Sequence, residues 1–185
     1  MDSLTLLSLW VILITVLGGL VVLLISVVTQ MRWMVPFVPT PRPVIAAMID
    51  LAQLKPCQVV FDLGAGDGRV LLAAEKREPK ICATGYEGAL GVWMLSKARV
   101  ALRRSNVQMR MKNFMTEDFS KADVIFTYLS IAMMKALKPK FDRELKKGAR
   151  VITHAFRVPD MQPDKEAVVK MPLWGGSRVY RYVWK

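Results

Sequence analysis

The chain has 185 residues, enough for one ordinary domain with some residues to spare, and a net charge of +12 that indicates an anionic partner or surface. Its single histidine excludes a histidine-rich metal site, and no metal is expected. The two cysteines, Cys57 and Cys82, lack C-x-x-C spacing and stand at or beside apolar strands. We therefore expect buried free thiols in a reducing compartment.

The first predicted element is an N-terminal transmembrane anchor over residues 1–30. No charged residue occurs from residue 4 to residue 28, a run long enough to cross a bilayer core of about 30 Å. A cleaved signal peptide would have a basic start, a shorter apolar core and a small-residue cleavage site. This segment instead begins Met1-Asp2-Ser3 and continues directly into Arg32, so we interpret it as a single-pass membrane anchor.

The charges on either side of the anchor predict its orientation. Asp2 precedes the span, whereas Arg32, Arg42 and Lys55 follow it, so the positive-inside rule places the following domain in the cytoplasm. Because residues 1–30 contain one acid and no base, the remainder holds all 27 basic residues and 14 of the 15 acidic ones, a net charge of +13. Such a domain is attracted to anionic lipid, which makes the membrane bilayer a predicted partner. Solvated faces are the alternative, and nucleic acid is the least favoured partner because no aromatic residues are interleaved with the bases.

Residues 31–55 are predicted to form a proline-rich segment followed by an amphipathic helix. Four prolines fall within residues 36–43, a composition typical of an extended, stiff linker or lid. Apolar residues at helical spacing then predict a helix over residues 44–54, which ends before Pro56.

Residues 56–185 alternate between strand and helix patterns and form the predicted catalytic domain. Strands are predicted at residues 58–62, 81–87, 107–112, 123–129 and 150–156, and helices at residues 68–77, 89–104 and 131–147. This alternation predicts a Rossmann-like α/β fold with a mostly parallel sheet covered on both faces. Residues 166–171 and 178–184, on either side of Gly175-Gly176, predict a closing antiparallel hairpin.

A glycine-rich loop after the first predicted strand is the strongest functional motif. The alternating glycines let the chain turn sharply and bring its backbone close to a ligand at a helix N-terminus. A dinucleotide site requires G-x-G-x-x-G, whereas the spacing here is G-x-G-x-G and Asp67 would repel a phosphate. With Asp62, the loop suits a ligand that carries a cationic amino-acid head, such as S-adenosylmethionine; a tight turn without a ligand is the alternative. The pattern of the loop resembles the first motif of class I methyltransferases. The loop residues predicted to bind the cofactor are Asp62, Gly64, Ala65, Gly66, Asp67 and Gly68.

Further candidates stand at the ends of the next three strands, since ligands bind at the carboxyl edge of an open α/β sheet. Glu87 ends the second strand, where a carboxylate can accept both ribose hydroxyls; a surface glutamate is the alternative. Asn113 could pair with the adenine edge and Phe114 could stack on the ring, unless they are a turn asparagine and a core phenylalanine. Tyr128 follows the fourth strand, where a methyl acceptor would approach; a core tyrosine is the alternative.

Several stretches of the sequence resemble one protein family. They are residues 38–41, 62–69, 85–87, 133–134, 144–152 and 156–159. Over nearly its whole length, anchor included, the chain is similar to the membrane-anchored, seven-β-strand lysine methyltransferases. That family includes the mitochondrial enzymes that modify the adenine nucleotide translocase and the ATP synthase c-subunit, and it has prokaryotic relatives.

The resemblance implies transfer of a methyl group from S-adenosylmethionine to a lysine ε-amine of a membrane protein. It also implies that the proline segment closes over the cofactor, so that Thr40 reaches it. An apolar, aromatic-lined channel lowers the pKa of an acceptor lysine, and Phe37, Tyr128 and Trp174 are candidates to line it. Phe37 and Tyr128 are therefore the predicted catalytic residues, and no base is predicted. The sequence departs from the eukaryotic enzymes at residues 127–130, which read Thr-Tyr-Leu-Ser in place of Gly-Val-Pro. This departure bears on the identity of the methyl acceptor more than on that of the cofactor.

Other functions remain open at this point. One is a methyltransferase for a lipid or isoprenoid small molecule, and another is a non-catalytic membrane scaffold that binds S-adenosylmethionine. An RNA methyltransferase is disfavoured by the anchor and by the lack of an Asn/Asp-Pro-Pro-Tyr-type motif after the fourth strand. Outside these motifs, we expect His154 to be packed or hydrogen-bonded and Met133-Met134 to belong to the core.

Overall fold

The computed structural model of the protein describes residues 2–33, 37–171 and 175–185. Its helices are α1 (Ser3–Trp33), α2 (Arg42–Ala52), α3 (Arg69–Arg77), α4 (Leu90–Leu102) and α5 (Ile131–Glu144). Its strands are β1 (Val59–Leu63), β2 (Cys82–Glu87), β3 (Gln108–Met111), β4 (Val124–Thr127), β5 (Arg150–His154), β6 (Lys165–Met171) and β7 (Gly175–Val183).

The strands form one sheet in the order β3-β2-β1-β4-β5-β7-β6. Strands β1 to β5 are parallel, whereas β7 runs antiparallel between β5 and β6. The predicted mostly parallel sheet with a C-terminal antiparallel hairpin is therefore confirmed. The strand order reverses between β1 and β4, and the crevice at the carboxyl ends of these two strands is where such a sheet binds ligands.

The sheet separates two hydrophobic clusters, because successive side chains of a strand point to opposite faces. Val60 belongs to the cluster packed under α2, α3 and α4, and the next residue, Phe61, belongs to the cluster packed under α5. Burial of each large apolar side chain contributes roughly 1.5–3 kcal/mol, so the two clusters fix the sheet between its helical layers.

Most element boundaries lie one to three residues from the predicted ones, and two of these shifts have a clear local cause. Helix α2 begins at Arg42 rather than at residue 44, because Pro43 falls in the first turn, where its missing N–H costs nothing. Helix α5 ends at Glu144 rather than at residue 147, since Leu145 turns to extended backbone and buries its side chain.

The prediction of buried thiols is wrong. Cys57 and Cys82 are both free and exposed. Cys57 lies in the turn before β1 with φ of +62°. Cys82 is the first residue of β2 and is exposed there, whereas Thr84 and Tyr86 on the same face of the strand are buried.

Helix α1 is apolar, and apart from the half-buried Val22 its described side chains are exposed. Its segment Ser3–Ile25 is long enough and apolar enough to span a membrane by length and composition. Helix α1 also packs against α4, so the apolar helix lies close to the part of the domain that α4 forms.

Two arginines, one on β5 and one on β7, hold the C-terminus of α2. The guanidinium of Arg181 is buried; it donates to the carbonyl of Leu51 at 3.2 Å, to Oε1 of Gln53 at 2.7 Å, and to the carboxylate of Asp164. Arg150 donates to the carbonyls of Ala52 and Gln53. These carbonyls have no partner within the helix, so the arginines satisfy its C-terminus and fix α2 against β5 and β7.

Replacing Arg181 by leucine should therefore lower the free energy of unfolding by about 2–3 kcal/mol, because the helix carbonyls lose their donor and Asp164 loses its cation. We expect thermal denaturation of the full chain in neutral detergent to show a midpoint lower by about 5–10 °C. Arg178→Leu is the matched control, since Arg178 lies on the same strand but forms only an exposed pair with Glu166. Equal midpoints for the two variants would contradict the capping role.

Candidate active site

The glycine loop joins β1 to α3. Gly64, Gly66 and Gly68 have φ of +74°, +57° and +77°, a left-handed backbone conformation that favours glycine. The backbone N–H groups of Gly64 and Ala65 donate to the carbonyl of Tyr86 at 3.0 and 2.9 Å. The loop therefore turns sharply, as predicted, and is fastened to the end of β2.

A cavity of about 230 Å³ lies over this loop, at the crevice between β1 and β4. Of the predicted site residues, only Gly68 does not line it; it begins α3, where an added Cβ would lie 3.5 Å from Sδ of Met109. Trp174 lies outside the described residues. The predicted residues that line the cavity are Phe37, Thr40, Asp62, Gly64, Ala65, Gly66, Asp67, Glu87, Asn113, Phe114 and Tyr128.

Asp62 is a buried carboxyl group that faces this cavity. Burial, reinforced by the charges of Glu87 and Asp67, raises the pKa of Asp62 to about 8. No hydrogen bond from the described residues reaches this carboxylate. A buried carboxylate without a donor needs a cation, and the amino-acid head of S-adenosylmethionine carries one, so the cavity fits that cofactor.

Asp67 is also buried, but its carboxylate already has two cationic partners. Arg69 binds it at 2.6 Å, and the guanidinium of Arg99 from α4 contacts it as well. Burial alone would raise the pKa of Asp67, but the hydrogen bonds and charge of Arg69 and the charge of Arg99 lower it overall. The two carboxylates of the loop therefore differ: Asp67 holds arginines in place, and Asp62 remains for a cationic ligand.

Glu87 ends β2 beside the glycine loop. Its Oε2 accepts the N–H of Gly66 at 3.0 Å, and its Oε1 accepts the N–H of Ala89 at 2.8 Å. Burial raises the pKa of Glu87, although these backbone donors oppose the shift. The two hydrogen bonds fix the orientation of a carboxylate that still has acceptor capacity for hydroxyl groups.

Asn113 and Phe114 have the turn and packing contacts of the alternative interpretation and also lie at the cavity. The side chain of Asn113 accepts the N–H of Met115 at 3.0 Å and so caps the 3₁₀ turn Phe114–Thr116. Phe114 packs against the second hydrophobic cluster. Both residues also line the cavity, so the turn holds an amide and an aromatic ring at its wall.

Tyr128 forms an aromatic wall after β4. Its ring lies 3.9 Å from the His154 ring and is stacked on Phe156 at 6.3 Å, measured between centroids. His154 is buried, and its Nε2 lies 2.7 Å from Oγ of Ser177, which confirms the packed histidine. Burial lowers the pKa of His154 to about 4, so the ring is neutral at pH 7.

The proline-rich segment covers the loop. An added Cβ on Gly66 would lie 2.7 Å from Cε2 of Phe37, so the phenylalanine ring rests directly on the glycine. Thr40 is buried, and its carbonyl accepts a hydrogen bond from Arg69 at 3.2 Å. Arg69 thus connects the segment to Asp67 in the loop.

Ten cavity residues were not among the predicted site residues: Val38, Pro39, Met48, Arg69, Val70, Gly88, Ala89, Met111, Lys112 and Met133. Met133 was expected in the core; it packs against the second hydrophobic cluster and also lines the cavity, whereas its neighbour Met134 is fully buried. At a helix start the two side chains point in different directions, and apolar character alone gave no signal to separate them.

Comparisons with known proteins agree with this geometry. The family model described as "ANTKMT methyltransferase domain" matches residues 62–165. The protein-lysine N-methyltransferase of Saccharolobus islandicus is 34% identical over 153 residues, which are 80% of this chain and 93% of that protein. The human lysine N-methyltransferase named for the ATP synthase c-subunit is 30% identical over 84% of this chain and 69% of its own.

A solved structure has the same fold. It is an RNA methyltransferase from Salinibacter ruber in complex with S-adenosyl-L-homocysteine, with a TM-score of 0.71 and 28% identity over 79% of this chain and 93% of that one. The bound product of the cofactor in that structure agrees with S-adenosylmethionine as the cofactor. This chain therefore belongs to the ANTKMT methyltransferase family and is an S-adenosylmethionine-dependent enzyme.

Proposed function

We propose that this methyltransferase acts on lysine side chains of a protein embedded in the membrane that holds its own N-terminal helix. The observation that carries the proposal is a cavity that combines Asp62, suited to the cofactor, with an apolar wall of Phe37, Tyr128 and Met133. The cofactor supplies an activated methyl group. The relatives named as lysine methyltransferases support the choice of acceptor.

The wall residues have a defined task in this proposal. A lysine amine can attack only when it is neutral, and desolvation against apolar and aromatic side chains lowers its pKa. Phe37 and Tyr128 exclude water and align the amine, so they serve as the catalytic residues. His154 does not line the cavity, because Tyr128 lies against it, and we assign it no role as a base.

The membrane part of the proposal is supported by α1. Its apolar segment matches the length of a bilayer core, and the basic residues that follow it favour a cytoplasmic catalytic domain. Two relatives act, by their names, on the adenine nucleotide translocase and on the ATP synthase c-subunit. Attachment to the same bilayer would bring a lysine near the membrane surface within reach of the cavity.

Replacing Tyr128 by alanine should lower the turnover number for methyl transfer by about 10–100-fold, because the acceptor amine loses one wall of its channel. Binding of S-adenosylmethionine, measured by calorimetry, should change less than threefold. Tyr128→Phe is the control, and it should retain at least about a third of the wild-type rate since the ring is preserved. A phenylalanine variant as slow as the alanine variant would show that the hydroxyl, rather than the ring, is required.

The test of the proposal is transfer of labelled methyl from S-adenosylmethionine into membranes of the source cell by the full chain. We expect label in a membrane-protein band, located on lysine by mass spectrometry and lost with Asp62→Asn. Asp160→Asn, an exposed carboxylate remote from the cavity, should label as the wild type does.

Three outcomes would overturn the proposal. Label confined to the lipid extract would identify a lipid methyltransferase. Label in added total RNA but not in protein would indicate an RNA methyltransferase, the activity named in the Salinibacter ruber structure. Measurable cofactor binding without any transfer would indicate a binding scaffold.

A further inference from the structure

A second cavity of about 530 Å³ lies between α2, α3 and α4. It shares Arg69 with the active-site cavity, and neither the family match nor the predicted site residues account for it. Five basic residues and one acidic residue, Asp50, line it. The basic residues are Arg42, Arg69, Lys76, Arg99 and Arg103.

The charge of this cavity is not neutralised within the described part of the chain. Arg42, Lys76 and Arg103 form no ion pair there. Arg69 and Arg99 share the single carboxylate of Asp67. A concave surface with an excess of positive charge attracts an anion.

Two of the cations are held in fixed positions. The carboxylate of Asp67 accepts from Arg69 and from Arg99, so both guanidiniums are oriented before any ligand arrives. Each guanidinium has five N–H donors, and these contacts do not use them all. Oriented guanidiniums with remaining donors favour the tetrahedral oxygens of a phosphate group.

The floor of the cavity is apolar. Ile45, Ile49 and Leu72 line it and are buried. On α4, which packs against α1, the side chains of Leu95 and Leu102 are exposed, and Arg103 at the cavity rim directly follows Leu102. A ligand that joins an anionic group to an apolar part would therefore match both the basic residues and the floor of the cavity, and α4, which contributes Arg99, also packs against the helix that can span a membrane.

We infer that this cavity binds the phosphate-bearing headgroup of an anionic phospholipid. Basic pockets next to membrane helices recognise such headgroups, and the apolar floor accepts the glycerol and upper acyl carbons. The inference rests on the proposed membrane attachment and is independent of the methyl acceptor. It orients the domain with α4 and the ends of α2 and α3 toward the bilayer.

The test uses the full chain in a neutral detergent, with dihexanoyl phosphatidylglycerol as the probe and dihexanoyl phosphatidylcholine for comparison. We expect saturable binding of phosphatidylglycerol by calorimetry, at least tenfold tighter than that of phosphatidylcholine. The variant Arg42→Gln/Lys76→Gln/Arg103→Gln should weaken it at least tenfold. The control Lys147→Gln/Lys165→Gln/Lys170→Gln removes the same charge from exposed lysines elsewhere and should stay within twofold of the wild type.

Retained S-adenosylmethionine binding shows that each variant is folded. If the triple variant does not fold, the single variant Arg103→Gln replaces it, and its affinity for phosphatidylglycerol should fall about threefold. Equal affinity for the two lipids, or unchanged affinity in the folded triple variant, would overturn the inference. Inorganic phosphate or glycerol phosphate that binds as tightly as phosphatidylglycerol would show a soluble-phosphate site. An acidic peptide or RNA that binds more tightly at the same residues would replace the lipid. If the wild type binds the lipid but methylates no lysine, the proposed function is rejected and the lipid site stands.

Discussion

Asp62→Asn should weaken S-adenosylmethionine binding at least 100-fold and, near pH 8, make the protein more stable. The carboxylate is buried without a hydrogen-bond donor among the described residues, so only a cationic ligand compensates its charge. Removal of one partner of such a buried charge pair costs about 3–5 kcal/mol, which predicts a loss of affinity of at least 100-fold at pH 8. Calorimetric titration of the full chain measures it, with Asp160→Asn as the control.

The pH dependence follows from the pKa of Asp62, which rises from 3.8 to about 8 on folding. Between these values the unfolded chain has lost a proton that the folded chain still holds. The free energy of unfolding of the wild type therefore falls as pH rises through this window, by up to about 1.4 kcal/mol per pH unit. Asparagine has no such proton, so the variant should gain a few kcal/mol over the wild type at pH 8.

Cofactor binding should show the opposite dependence on pH. The cationic ligand requires the ionised carboxylate, so binding expels the proton, and the affinity should rise up to about tenfold per pH unit until about pH 8. The variant should bind weakly and without this dependence. A wild-type affinity that does not change between pH 6 and pH 8 would contradict the placement of the ligand cation at Asp62.

Gly85→Val should unfold the cofactor loop and destabilise the whole domain. An added Cβ at Gly85 would lie 2.7 Å from Cβ of Ala65 and 2.8 Å from Sδ of Met109. Ala65 cannot retreat, because its N–H and that of Gly64 bond to Tyr86. We expect valine to lower the free energy of unfolding by at least about 3 kcal/mol and alanine by about 1–3 kcal/mol, both with weakened cofactor binding.

A double variant separates this clash from a general effect of the substitution. Ala65→Gly removes the opposing methyl group, so Gly85→Ala/Ala65→Gly should regain part of the stability lost by Gly85→Ala. Gly176→Ala is the control in another strand, since its Cβ would meet only the carbonyl of Val169 at 3.6 Å. Thermal denaturation measures all four variants. Additive effects at Gly85 and Ala65 would rule out their direct contact.

Local pattern was enough to predict the sheet and the glycine loop. Left-handed glycines at Gly64 and Gly66 follow from the need for a sharp turn after a buried strand, and Glu87 follows from the end of the next strand. These features depend on few neighbouring residues, and the parallel topology then brings the strand ends together.

Features that depend on distant partners could not be predicted in this way. The sequence shows Asp67 as a second loop carboxylate, but its pairing with Arg99 depends on how α4 packs. Met48 and Met111 reach the cavity from a helix and a strand end that no motif marks. The exposure of Cys82 depends on where the covered part of β2 begins, because Thr84 and Tyr86 on the same face of the strand are buried.

The anchoring of α2 by Arg181 has a consequence for biosynthesis. Helix α2 is made before any strand of the sheet, but the guanidinium that binds the carbonyl of Leu51 comes 130 residues later. Strand β7, which carries it, inserts between β5 and β6 although both are translated earlier. The cover over the cofactor loop, which leads into α2, therefore gains this part of its support only when the ribosome has released β7. A truncated nascent chain would keep the contacts of Phe37 with Gly66 and of Thr40 with Arg69 but would lack the clamp on the end of α2.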